Sequence, residues 1–99
     1  MSPTPPPYTP PEAKELAKKA ALEGLLVYAQ PHAIQEMQND GLIEADVENT
    51  LRAGFANEPE WERGAWRYRI QTNRIAVIIQ FLADGRVFVI TVFRIGRGR

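Results

Sequence analysis

Ala65-Trp66-Arg67-Tyr68-Arg69-Ile70-Gln71-Thr72 is the stretch on which the fold turns. Its side chains alternate, Trp66, Tyr68 and Ile70 on one face and Arg67, Arg69 and Gln71 on the other, and a period of two marks a strand buried on one side. After a tight turn at Asn73, residues 74–82 are apolar at nearly every position, which predicts a strand covered on both sides. Ala83-Asp84-Gly85 supplies a hairpin turn. A third strand follows over Arg86 to Ile95, apolar inside, with Arg86 and Arg94 near its ends and on one face by the same period. Phe55 to Pro59 is a further candidate for a short strand.

Upstream, the periodicity becomes helical. Thr9-Pro10-Pro11-Glu12 has the form of a capping box with proline in the first turn, and Ala13, Leu16, Ala17, Ala20 and Ala21 follow on one helix face to about Glu23. Gly24 suits a left-handed stop. Leu25 to Tyr28 reads as a short strand or an extended connector. Pro31 starts a second helix through Met37, ended near Gly41, and a third runs from about Glu44 to Ala53, with Val47 and Leu51 on its buried face and Gly54 as its stop. This order predicts an α+β fold: two to three N-terminal helices packed on a three- to four-stranded antiparallel sheet. The single domain spans residues 12–95. Before it lies a proline-rich leader, residues 1–11, expected to be disordered although its P-x-x-P spacings also suit a polyproline ligand. After it comes a flexible basic tail, residues 96–99.

Composition narrows the chemistry. The 99 residues leave room for one core, and with no cysteine there is no disulfide, thiolate nucleophile or Cys-based metal site. The single histidine, His32, cannot build a histidine metal site alone, so no metal and no cofactor are expected. No apolar run approaches the roughly 20 residues of a membrane span, and no secretory signal pattern opens the chain, so a cytoplasmic protein is expected. Gly-rich phosphate loops, G-x-S-x-G and H-E-x-x-H are all missing from the sequence.

The net charge of zero hides an asymmetry. Residues 1–50 carry three lysines against eight acids, a net of −5, whereas residues 51–99 carry nine arginines and no lysine against four acids, a net of +5. Arginine presents a planar fork that matches phosphate bidentately, and charge asymmetry between halves points to a polyanionic partner; a coding bias towards arginine is the alternative. Arg67, Arg69 and Gln71 share a strand face, and Arg74, Arg86 or Arg94 would converge on them in a suitable register. The competing reading has these arginines solubilise an open sheet and pair with Glu58, Glu60 and Glu62. His32, at the start of the second helix, is either a proton-transfer group, which imidazole suits near neutral pH, or a packing or capping residue.

The run His32-Ala-Ile-Gln-Glu-Met37, then Gly41-Leu42, Asp46-Val47, Leu51-Arg-Ala-Gly54, Trp66-Arg-Tyr-Arg69 and Val89-Ile-Thr-Val-Phe-Arg94 resembles a small bacterial domain-of-unknown-function family. Its members read H-A-x-x-R-M, G-I, D-V, L-x-x-G and V-x-T-V in that order, and the resemblance covers about residues 26–95. That family is similar to the MqsR and RelE-like ribonuclease toxins of type II toxin–antitoxin systems. The resemblance implies a RelE-like toxin fold, a protein antitoxin of the YgiT zinc-finger type as partner, and cleavage of mRNA without a metal. On that chemistry His32, Arg69 and Arg94 are the catalytic candidates, with Tyr68 a second proton-transfer candidate, and Arg67, Gln71, Arg74 and Arg86 bind RNA. Three positions depart from the family. Glu36 stands where Arg is usual, Asn39 and Asp40 lie in a segment that is often basic, and Ile43 replaces a Ser or Thr helix cap. A non-catalytic module binding protein or nucleic acid through the arginine face is the rival expectation, and homodimerisation through a sheet edge a third.

Overall fold

The computed structural model describes residues 7–96. The first P-x-x-P spacing, Pro3 to Pro6, and the arginines of the basic tail lie outside the described residues. Helix α1 (Pro10–Glu23) opens as its sequence predicts: the Thr9 hydroxyl accepts from the Glu12 amide at 3.3 Å, while the Glu12 carboxylate accepts from the Thr9 amide at 2.9 Å. Gly24 closes the helix at φ 71°. There follow β1 (Leu26–Tyr28), α2 (His32–Asn39), α3 (Glu44–Ala53), β2 (Phe55–Ala56), β3 (Glu60–Glu62), β4 (Ala65–Gln71), β5 (Ile75–Phe81) and β6 (Val87–Arg94). At the head of α3, Ile43 has no acceptor to offer as a cap, and Asp46 compensates in part by accepting from the Ile43 amide at 2.9 Å.

The architecture is α+β, but the sheet is larger than the expected three or four strands and is not purely antiparallel. Among the described residues six strands take part, in the order β1-β6-β5-β4-β2, with β3 pairing the first half of β4. The segment that read as strand or connector pairs as β1, parallel to the first half of β6, with Leu26 opposite Val87 and Tyr28 opposite Val89. Strand β2 occupies the first two residues of the candidate strand at Phe55 to Pro59, and β3, three residues long, is the addition too short to show a period in sequence.

One face of the sheet carries the core. Tyr68, Ile70, Val77, Ile79, Val87, Val89 and Val92 meet Ala13, Ala17 and Ala20 of α1, Ala33 and Met37 of α2, and Val47 and Leu51 of α3. Among the described residues the second face has no comparable cover: Ile78, Phe88, Ile90 and Phe93 remain half-buried. Strand β5 was expected to be covered on both sides; its apolar outer side chains instead form an apolar floor on this open face.

Tyr68 is fully committed to the interior. Its hydroxyl accepts the Tyr8 amide proton and lies 3.3 Å from the Tyr8 carbonyl, and the Tyr8 ring meets Phe81 edge-on at 5.2 Å. The packed structure thus reaches back to Tyr8, and Pro10, the end of the second P-x-x-P spacing, is already the first residue of α1.

Tyr28 shows the opposite situation. Its hydroxyl is buried without a hydrogen-bond partner among the described residues. Burial, then the charges of Glu44 and Glu48, push its pKa from 10.0 up to about 12. Because an unpaired buried hydroxyl costs on the order of 1–3 kcal/mol, Tyr28→Phe is expected to stabilise the fold by about 1 kcal/mol. The folded state holds the phenol proton more tightly than the unfolded chain. That contribution is complete below pH 10 and is lost as pH rises towards about 12. Urea midpoints measured from pH 8 to 12 should therefore fall less steeply for Tyr28→Phe than for the wild type.

Candidate functional site

The arginines that sequence grouped together are divided by the structure among three places. Arg86 sits in the β5–β6 turn, where its guanidinium donates to the Asp84 carboxylate at 2.7 Å and its amide to the other oxygen at 3.0 Å. The Arg86 backbone and side-chain donors hold the Asp84 carboxyl below its ordinary range. Arg94 lies at the far end of the sheet, its amide donating to the Asp40 carboxylate at 3.0 Å and its Nε to the Asp40 carbonyl at 2.8 Å. Arg74, exposed in the β4–β5 turn, borders the same hollow as Arg94, Asp40 and Asn73. Arg86 and Arg94 do not share a face. A bulge shifts the β5–β6 register between Ile78 and Ile79, so that Ile78 opposes Thr91 while Ile79 opposes Val89, and the extra residue, Ile90, inverts the alternation. Before the bulge Val87 and Val89 point to the core; beyond it Val92 does, and Arg94 follows Val92.

The same bulge turns Thr91 and Phe93 onto the open face, in the company of Arg67, Arg69 and Gln71. Cross-strand rows can be read from the register: Arg69, Ile78 and Thr91 form one, Gln71, Ala76 and Phe93 the next. Ala76 is small, which leaves room above it. Into that room Arg69 leans, its Nε donating to Gln71 Oε1 at 2.5 Å and its guanidinium carbon 5.3 Å from the centre of the Phe93 ring, two strands away. Gln71 Oε1 accepts a second bond, from Asn57 Nδ2 at 3.2 Å, which ties the β2–β3 loop to this arrangement. Among the described residues Arg69 has no carboxylate partner. Arg67 does, its Nη1 lying 3.5 Å from Glu62 Oε1, although its Nε is buried without a hydrogen-bond partner among the described residues.

His32 joins from the sheet's edge. Helix α2 continues the line of β1 along β6, and its first residue brings imidazole Nε2 to 3.3 Å from the Thr91 hydroxyl and 3.4 Å from the Glu36 carboxylate. One turn of helix separates His32 from Glu36, which makes this acid the histidine's own neighbour. Glu58, Glu60 and Glu62 border the face on the opposite side, beside Arg67, Arg69 and Thr91.

Of the predicted site residues, His32, Arg67, Arg69 and Gln71 are thus brought to one face, and Arg74, Arg86 and Arg94 are not. Tyr68 is excluded from it by burial. Sequence reading assigned no role to Thr91, Phe93 and Asn57. For Thr91 a signal exists, a hydroxyl interrupting an otherwise apolar strand; for Phe93 and Asn57 there is none before the bulge and the β2–β3 loop are known.

Among the described residues no helix is long and apolar enough to cross a membrane. No curated protein matches the chain, and no solved structure does. A family pattern does match over residues 30–94, from the turn before α2 to the last residue of β6. That range contains every residue of the open face, and the chain belongs to the family described as a domain of unknown function, DUF4258.

Proposed function

We propose that this chain is the toxin-like component of an antitoxin-paired module, with a RelE-like arrangement of helices on a sheet, and that it cleaves mRNA on the open face without a metal. The observation that carries the reading is Arg69: a half-buried cation without a carboxylate partner among the described residues, held by Gln71 and Phe93, and leaning towards the strand whose Thr91 touches His32.

The chemistry follows from RNA itself. The 2′-hydroxyl attacks the adjacent phosphorus, the bond to the 5′-oxygen breaks, and a 2′,3′-cyclic phosphate remains. His32 takes the 2′-hydroxyl proton, solvent returns one to the leaving oxygen, and Arg69 stabilises the extra negative charge that the transition state gathers on phosphorus-bound oxygens. Arg67 binds a neighbouring phosphate. Arg94, paired with Asp40, holds α2 against β6 in this reading and so has a structural part.

A second reading is favoured by Glu36 beside His32 and Glu62 beside Arg67, which lower the positive potential of the face: a module that binds nucleic acid or an acidic protein without cutting. RNA ends mapped after induced expression in a bacterial host separate the two. Growth arrest with new cyclic-phosphate ends is expected; intact RNA together with a salt-sensitive gel shift would replace the cleavage reading with the binding one.

A further inference from the structure

We infer that Phe55 is a base-stacking platform, and that the open face takes a single strand of nucleic acid with one unpaired base on Phe55 and the adjoining phosphates on Arg69 and Arg67. The inference rests on the RNA reading of the same face. Strand β2 is only two residues long, and its register decides the matter: Ala56 opposes Ile70 and turns towards the core, whereas Phe55 opposes Gln71 and stands on the Arg69 side. Phe55 is 55% exposed, so core packing does not account for it. Successive same-face residues of a strand are about 7 Å apart, which sets Gln71, Arg69 and Arg67 as a ladder along β4 with Phe55 beside its first rung. An aromatic ring at one end of a row of cations is the arrangement that single-strand binders use, because every base has a π-face and every linkage a charge.

Charge and width select a single strand over a duplex. From Thr91 to Arg69 the face is three strands wide, about 10 Å between the outer strand axes. Along the same edge of β4, past Phe55, the border turns acidic at Glu58, Glu60 and Glu62, with Glu60 opposite Arg67, and a second phosphate backbone on that edge would meet like charge.

The test is binding of the full chain to a fluorescent 2′-O-methylated RNA dodecamer, which lacks the attacking hydroxyl, to the same dodecamer with abasic sites, and to its duplex. The wild type is expected to bind the base-bearing single strand at least tenfold more tightly than the other two. Phe55→Ala should lose about tenfold on that strand and nothing on the abasic one, with Phe55→Trp restoring the loss and circular dichroism showing all three folded. Wild-type strength in Phe55→Ala, equal losses on both strands, equal binding of the duplex or no binding of any oligomer by the wild type each overturn the inference. The two readings fail separately. Unmodified RNA cut equally by wild type and Phe55→Ala removes stacking and keeps cleavage, whereas Phe55-dependent binding without any cutting removes cleavage and keeps stacking.

Discussion

On the proposed cleavage reading, Arg69→Ala is expected to lower RNA cleavage by about 100- to 1,000-fold, the usual effect of removing one preorganised donor from a site where charge develops. The same substitution should cost only about 1 kcal/mol of stability, since it removes one side-chain hydrogen bond and one contact with an aromatic face. In a domain of this size that is a fall of about 5 °C in Tm. Arg69→Lys should recover part of the activity, because it restores the charge without the planar fork that spans two phosphate oxygens or lies on Phe93. Arg94→Ala makes the contrast. It removes the Nε bond to the Asp40 carbonyl, so it should loosen α2 against β6 while leaving RNA cleavage within a few-fold of wild type. Single-turnover cleavage of a defined RNA, with melting curves of the same proteins, reads all of this. Full activity in a folded Arg69→Ala protein, or its complete loss in a folded Arg94→Ala protein, would move the site away from the open face.

How the arginines divide shows what the sequence could and could not disclose. Alternation alone places Arg67, Arg69 and Gln71 together because β4 runs without irregularity, and the strict period of residues 65–71 survives in the folded strand. The capping box at Thr9 was equally legible, since both partners lie within one turn. Arg86 and Arg94 failed the same test because a single inserted residue, Ile90, reverses every side chain beyond it, and an apolar strand carries no local mark of a bulge. Strand β2 falls inside the stretch Phe55 to Pro59 that reads as a short strand, whereas β3 is hidden by its length; the pairing of both is fixed by β4, which lies next to them only after the chain has folded. The Arg69 lean across Ala76 depends on three strands at once. His32 at Thr91 depends on α2 extending the line of β1, a tertiary fact that no window of sequence contains.

Gly54→Ala is expected to be strongly destabilising, costing about 3 kcal/mol and lowering Tm by about 15 °C. The reason is space. Gly54 has φ −76°, which any residue adopts, so no conformational strain is involved. A Cβ built there would lie 2.6 Å from the carbonyl oxygen of Thr50 and 2.7 Å from that of Gln71. Both are backbone atoms fixed by their own elements, one by α3 and the other by β4, and neither can withdraw like a side chain. Gly24 is the control. It has φ 71° but nothing within 4 Å of a built Cβ, so Gly24→Ala pays only the left-handed conformational cost of about 1 kcal/mol. The two glycines therefore separate steric from conformational cost within one fold, and a Gly54→Ala melting point within about 3 °C of that of Gly24→Ala would contradict the close approach of α3 to β4. The position also links stability to function. Gly54 donates its amide to Thr50 at 2.8 Å, accepts Lys14 Nζ at 2.6 Å and leads directly into Phe55, so the methyl that cannot fit is also a wedge between β2 and the edge of β4. At temperatures where Gly54→Ala is still folded, binding of the base-bearing oligomer should weaken towards the level of Phe55→Ala, while binding of the abasic strand, which needs only Arg67 and Arg69, should persist.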